Sequence, residues 1–427
     1  MYSERLKSHH ASQVYLKNAF VDKQSQIGYV KTLLQTKASR PRAIYIHIPY
    51  CTNLCSFCNL NRTMINSSVE DYHKLIIKQI KAVASYPYIQ SKEFDSIYFG
   101  GGTPTVLSAK QWEQILDAMH SLLPISKTAE ISVETSITEL TEDRLEILKK
   151  MGVNRLSIGV QTFVDRGRKL LKRRGSSSEV IAKIQKAIDM GFKNTNIDLI
   201  YNYSNQTMQE LEFDLKTIKE LDIAGLSYYS LILHEGSVLS KLIEDGKIEN
   251  LPSISDERVM FGKVYDELLS NGFELLELTK IVRKNRDDYK YIQVKNRAGD
   301  CLALGNGAGG RLGNYLYYNG PMMSKVPKML MPISPMGKVV TESYNVITKI
   351  IGQIQFGFIS FNQLDDESNL KMHEHASSFI EELLHNRLVA KEGEKYRLTK
   401  EGVFWGNNIC SDVTKLLVEF LDEEARR

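Results

Sequence analysis

The sequence predicts an α/β chain centred on a partial (β/α)6 TIM-like barrel, with a lead-in segment before it and a small, mainly helical C-terminal domain after it. Three observations carry that expectation: six strand-like stretches between Ala43 and Leu231, amphipathic stretches of helical length between them, and the fading of this alternation after about residue 235. The pattern alone also leaves an open doubly wound sheet standing as an alternative.

Residues 1–42 mix helical periodicity with basic side chains and end at Ser39-Arg40-Pro41-Arg42, a break before the first strong strand. Strands are then expected over Ala43 to Ile48, Ser96 to Phe99, Glu130 to Glu134, Arg155 to Ile158, Asn194 to Ile200 and Gly225 to Leu231. Capping boxes open several of the intervening helices: Ser67 with Glu70, Ser108 with Gln111, Ser176 with Glu179 and Thr207 with Glu210. Parallel neighbours need a long connection, and the right-handed βαβ unit provides it, so the alternation calls for a parallel sheet. Reactive groups should then gather at the carboxyl ends of the strands. Residues 43–235 form the barrel on this reading. Residues 236–345 carry a glycine-rich run, clustered tyrosines and the Pro- and Met-rich stretch Pro321 to Met336, and are expected as an irregular extension closing the active site. Residues 346–427 return to helical patterns with a short strand at Lys395 to Leu398, which suits a helical, winged-helix-like domain.

Composition sets wide bounds. The 427 residues are 42% hydrophobic and 25% charged, which argues against collagen-like, wholly disordered or membrane-spanning chains. Lys plus Arg at 55 against Asp plus Glu at 51 leaves a net +4, too small a surplus to call for a nucleic-acid partner or an acidic membrane. The five cysteines are odd in number and three crowd into eight residues, unlike a secreted disulfide framework. No signal peptide and no apolar run of spanning length is visible, so a cytoplasmic, reducing location is expected.

The strongest chemical signal is Cys51-Thr52-Asn53-Leu54-Cys55-Ser56-Phe57-Cys58, a C-x3-C-x2-C loop directly after the first strand. Three thiolates on a short loop can each ligate one iron of a cubane cluster and leave the fourth iron open for a substrate. A zinc site is the rival, but it normally wants four closed ligands in paired spacings, and no second CxxC is present; His47 would have to complete it. One strand later comes Gly100-Gly101-Gly102-Thr103-Pro104, where glycines permit positive φ and close backbone approach to a small zwitterion, or simply make a tight turn. Polar residues then recur near the ends of apolar strands: Glu134, Gln161, Arg173 and Asp198. Each alone reads as a loop residue or salt bridge; as a set they need partners that a shared ligand would supply.

At these residues the chain resembles the radical S-adenosylmethionine (SAM) superfamily, and Tyr45-Ile46-His47-Ile48-Pro49-Tyr50-Cys51 looks like its oxygen-independent coproporphyrinogen oxidase group. The resemblance implies that Cys51, Cys55 and Cys58 hold a [4Fe-4S] cluster whose open iron chelates SAM, which one electron splits to a 5′-deoxyadenosyl radical. It further implies that Tyr45, Gly101 and Glu134 contact that SAM, and that Phe57, Gly102, Thr103, Gln161, Arg173 and Asp198 line a site for a second SAM. A low-potential electron donor such as flavodoxin is the implied partner.

Within the group, the porphyrin-precursor decarboxylase carries another cysteine two positions after the third cluster ligand, and here Leu60 stands in that place. The formal G-x-G-x-x-G at Gly305, Gly307 and Gly310 has no strong helix after it, so a dinucleotide fold is rejected there. The Gly307-Ala308-Gly309-Gly310 string, Tyr396-Arg397-Leu398-Thr399 and Phe404-Trp405 look most like the anaerobic haem-utilisation branch, the haem-degrading methyltransferases of the anaerobilin synthase type. That likeness implies haem as substrate, opened without oxygen to a linear tetrapyrrole with release of iron. An oxygen-independent coproporphyrinogen III dehydrogenase and a non-catalytic haem chaperone are the alternatives. Candidate haem ligands are His234 and Cys301, with Tyr228 and Tyr229 as aromatic contacts; each has a plain structural rival.

Overall fold

A computed structural model describes residues 1–16, 20–22, 25–320, 333–335, 337–368 and 371–424, so most of the Pro- and Met-rich stretch lies outside the described residues. Six parallel strands form the centre: β1 Arg42–Ile48, β2 Phe94–Gly101, β3 Ile125–Ser136, β4 Arg155–Gln161, β5 Asn194–Tyr201 and β6 Gly225–Ser230. They pair in chain order, with Ala43 opposite Ser96, Ile97 opposite Ile131, Glu134 opposite Ser157, Gly159 opposite Asp198 and Asp198 opposite Ser227. β1 is buried at every position except Tyr45, as a strand covered on both faces must be. The strands run further than their apolar cores suggest. β2 continues through Gly100 and Gly101, β3 through Thr135 and Ser136, and β4 through Gly159 to Gln161, and these added carboxyl-terminal residues carry the site.

The stretch 236–345 is not irregular. It adds six short strands to the same sheet: β7 Phe273–Glu277, β8 Lys280–Arg283, β9 Asp300–Leu304, β10 Gly309–Leu312, β11 Tyr315–Tyr318 and β12 Lys338–Val339. The twelve-stranded order is β12-β11-β10-β9-β1-β2-β3-β4-β5-β6-β8-β7, so this segment flanks the parallel core on both edges. β9 lies parallel to β1, while β8 runs antiparallel to β6 and β10 antiparallel to β9. The expectation failed because these strands span two to five residues and most pair as antiparallel neighbours, without the crossover helices that give βα alternation its period. The glycines of the formal dinucleotide motif serve packing instead. At Gly305, φ is +87° and an added Cβ would stand 2.5 Å from the carbonyl oxygen of His47.

Outer helices cover the parallel strands: α1 Val69–Ala84, α2 Ala109–Leu122, α3 Glu142–Lys150, α4 Ser177–Asp189 and α5 Met208–Glu220. The boxes at Ser108 with Gln111 and Thr207 with Glu210 are complete, and Ser176 accepts from Glu179 N–H. The box expected at Ser67 does not form; α1 starts after Ser68, whose N–H and hydroxyl both donate to Asn66 Oδ1. Helices α6 Ile254–Leu269 and α7 Lys290–Asn296 belong to the 236–345 stretch, and the C-terminal region joins α8 Glu342–Gln355, α9 Ser377–His385 and α10 Gly406–Glu424 to a three-stranded sheet. Its strands are β13 Phe358–Ile359, β14 Val389–Glu392 and β15 Lys395–Leu398. One continuous apolar core runs from the sheet into this region. No helix among the described residues is long and apolar enough to cross a membrane.

Candidate active site

The cysteine loop hangs from the end of β1. Tyr50–Cys51 pairs in parallel with Thr63–Met64, and the intervening turn carries Cys55 and Cys58. All three thiols are free, Cys51 buried and the others half-buried. Each sulfur meets one donor from another part of the chain or loop: Thr103 Oγ1 at 3.7 Å from Cys51, Arg173 Nη1 at 3.0 Å from Cys55, and Arg62 Nε at 3.2 Å from Cys58. Burial pushes the Cys51 thiol up to about 11, so its ionisation calls for a metal to take the place of the proton.

These residues fit an iron-sulfur cluster better than a single ion. Cysteines on different irons of a cubane stand further apart than four ligands of one zinc. Among the described residues no group of three or more His, Cys, Asp and Glu converges on one metal position. His47 is also spent: Nδ1 lies 2.9 Å from Tyr45 Oη and Nε2 lies 2.9 Å from Asn61 O. The peptide carbonyl can only accept, so Nε2 carries the proton and Nδ1 accepts from the Tyr45 hydroxyl.

The glycine run at the end of β2 forms the next wall. Gly101 has φ +118°, and its N–H donates to Glu134 Oε2 at 3.1 Å. An added Cβ would lie 2.7 Å from the His47 ring at Gly101 and 2.5 Å from the Tyr50 carbonyl oxygen at Gly102, so both positions require glycine for close approach. Tyr98 donates its hydroxyl to Glu134 Oε1 at 2.8 Å. Burial nevertheless pushes the Glu134 carboxyl up to about 7.

Beside it, on the next two strands, lies a second polar wall. Gln161 sits at a register irregularity between β4 and β5 with φ +74°. Arg173 donates through Nη2 to the carbonyl of Gly159, while its Nε is a buried donor with no partner among the described residues. An unsatisfied buried donor costs about 1–3 kcal/mol, which a ligand acceptor would recover. Asp198 accepts from Ser157 Oγ at 3.4 Å, and burial raises its pKa. Phe57 packs beside Leu171, Ile200 and Leu231.

Cys51, Cys55, Cys58, Phe57, Gly101, Gly102, Thr103, Glu134, Gln161, Arg173 and Asp198 all line one cavity of about 420 Å³. Tyr45 does not. It is held beneath the wall by its bond to His47 and by stacking on Tyr98 and Tyr291, because period-two alternation turns it into the barrel interior. His234 reaches the cavity with Nδ1 2.9 Å from Asn59 Nδ2. Tyr229 also lines it, whereas Tyr228 stacks on Tyr201 away from it. Cys301 does not face the cavity as a haem ligand would: it packs with Ala43, Tyr98, Tyr291 and Val294 inside the sheet. The sequence reading passed over Arg62 and Ser157, although a basic residue four places after Cys58 and a polar residue within apolar β4 were available signals.

Residues 45–218 match the Radical SAM superfamily. The chain carries a radical SAM domain. That family uses a [4Fe-4S] cluster and SAM, and the chain's homologues fall in the coproporphyrinogen-oxidase-like group. It is 27% identical to the heme chaperone HemW of Bacillus subtilis over 86% of this chain and 98% of the relative. It is 26% identical to the anaerobilin synthase of Escherichia coli O157:H7 over 90% and 86%. The oxygen-independent coproporphyrinogen III oxidase of Salmonella typhimurium is 30% identical over 57% of this chain, which spans about half (53%) of that relative. Among solved structures, coproporphyrinogen III oxidase (HemN) from Escherichia coli shares the fold at a TM-score of 0.78 and 23% identity, covering 92% of this chain and 94% of that one.

Proposed function

We propose that this radical SAM chain is a methyltransferase that opens the haem macrocycle without oxygen, giving a linear tetrapyrrole and freeing iron. One observation carries the reading: a single cavity presents two neighbouring polar groupings, each suited to a zwitterionic sulfonium ligand. On the first, Cys51, Cys55 and Cys58 would hold the cluster, and Glu134 and the Gly101 backbone would orient the amino group of the first SAM. On the second, the orphan Nε of Arg173, together with Gln161 and Asp198, would seat another. The cluster, when bound, supplies the single electron that splits the first sulfonium. Glu134 binds a cation best as a carboxylate, and an approaching ammonium supplies the charge that ionises it. Leu60, 58% exposed and lining the cavity, offers an apolar rim to a macrocycle where the decarboxylase has a cysteine. The anaerobilin synthase match over 90% of the chain supports the same choice. We place the reaction in the cytoplasm, with a low-potential donor such as flavodoxin as electron source.

A haem chaperone is the second reading, favoured by the HemW match over 98% of that relative's length. The test is anoxic incubation of the reconstituted chain with haem, SAM and a reductant. Loss of the Soret band together with 5′-deoxyadenosine and S-adenosylhomocysteine is expected. Intact haem that passes to an acceptor without SAM consumption would support the chaperone, and turnover of coproporphyrinogen would support the dehydrogenase.

A further inference from the structure

Below the cavity, the barrel interior on the side of β4 to β8 is charged. Lys280 on β8 lies opposite Ser227 on β6, and Ser227 lies opposite Asp198 on β5. In-register neighbours point to the same face of a sheet, so the three side chains form one row that ends at the cavity wall. Lys280 is 1% exposed, and its ammonium has no hydrogen-bond acceptor. Among the described residues its one close ion pair is Asp287 Oδ2 at 3.7 Å. That carboxylate is already committed: Arg155 grips it through Nε and Nη2, both at 3.0 Å, and Asn194 and the Tyr289 N–H also donate to it. Asp287 remains its nearest carboxylate, and Asp198 and Glu277 are the other carboxylates that face it. Tyr289 closes the cluster from below. It holds a left-handed backbone, φ +44°, that places its ring 5.1 Å from Lys280 Nζ and 4.1 Å from the Arg155 guanidinium. A bulky residue pays strain for such a conformation, and here the strained residue packs against the two buried cations.

We infer that Lys280 is a positioning residue for the second sulfonium ligand: its buried ammonium keeps Asp198 as a carboxylate at the cavity wall. The inference rests on the reading of Asp198 as part of that second site. Asp198 is faced by Lys280 and Arg155 as cations, by Ser157 and Ser227 as donors, and by Glu134, Tyr98 and Tyr229 from the neighbouring strands. Burial favours its neutral form, and Lys280 is the first of the groups that oppose burial. Arg155 is the lesser of the two cations for Asp198, because its guanidinium is also held in a bidentate grip on Asp287.

The test counts SAM equivalents bound by the anoxically reconstituted chain in equilibrium dialysis between about pH 5 and pH 7.5, below the value of about 8 to which burial lowers Lys280. Wild type should lose its second equivalent along a low-pH limb set by protonation of Asp198. Lys280→Met should move that limb upward by about one pH unit or more, with the first equivalent retained. Lys280→Arg should restore it, since the guanidinium stays charged. Lys280→Gln carries the same test should the apolar variant fail to fold. An unmoved limb in the neutral variants, or an arginine variant that behaves like methionine, overturns the role given to Lys280. Asp198→Asn should lose the second equivalent at every pH; if it keeps both, the two-ligand reading of the site itself fails, a result distinct from an unmoved limb.

Discussion

Arg173 contacts Cys55 across 118 positions of sequence, with Nη1 3.0 Å from the sulfur. The same guanidinium binds the Gly159 carbonyl, so one side chain ties the cysteine loop to the wall assigned to the second SAM. A cationic donor at a cluster sulfur stabilises the more negative, reduced state. Arg173→Met should therefore keep iron at the wild-type level while lowering the reduction potential and weakening the second SAM equivalent. Potentiometric titration followed by electron paramagnetic resonance reads this, and an unchanged potential counts against the contact. Cys55→Ala is the control: it should lose iron-sulfur absorbance and SAM cleavage while remaining soluble.

Gly102 is a steric requirement. Its added Cβ would meet the Tyr50 carbonyl at 2.5 Å and the Pro49 carbonyl carbon at 2.9 Å, both backbone atoms that cannot rotate away. Gly102→Ala should cost about 2–3 kcal/mol and lower the melting temperature, with the cysteine loop displaced. A wild-type melt with normal SAM binding would show that the loop yields freely.

Glu134 makes stability depend on pH. Its folded value of about 7 lies above the ordinary 4.5, so the folded chain holds the proton more tightly than the unfolded one. Stability is then full below about 4.5 and falls as pH rises to about 7, by up to roughly 3 kcal/mol from this group. Glu134→Gln should flatten that window, melting higher than wild type near neutral pH and above while binding SAM more weakly. Parallel slopes for the two proteins would remove Glu134 as the cause.

The first residues act as a strap. Arg5 donates to the Phe404 carbonyl at 2.7 Å and to Tyr201 Oη at 3.2 Å, pairs with buried Glu257, and lies 4.4 Å from the Phe404 ring. Lys7 donates to the carbonyl of Leu231, a residue of the cavity wall. Arg5→Ala leaves buried Glu257 with the longer Lys7 pair at 3.4 Å and the Asn202 amide at 3.3 Å, and should cost about 1–3 kcal/mol. Adding Glu257→Gln should recover part of that loss in thermal melts; no recovery would place the loss in packing on Phe404 instead.

Much of this chain is legible in one dimension. The six central strands follow from buried runs such as Ile44 to Ile48, because a parallel strand is covered on both faces and must be apolar along its length. The cysteine loop and the Gly-Gly-Thr-Pro run are equally plain, since their chemistry depends on neighbours a few residues apart. Even the dispersed polar set could be nominated, because an isolated Glu134 or Asp198 in an apolar strand calls for a partner.

Spatial folding decided the rest. That Tyr45 turns inward to His47 while Glu134 faces the cavity depends on how strands twist and register, and Cys301 and His234 were indistinguishable candidates until β9 placed one inside the sheet and the loop after β6 placed the other at the rim. The edge strands between 273 and 339 were missed because pairs as short as β8 with β6 gain their stability from the sheet they join, which no local pattern records. Charge balance is likewise nonlocal: Arg155, Lys280 and Asp287 look like surface residues in sequence, and only burial against Asp198 turns their sum into a property of the site.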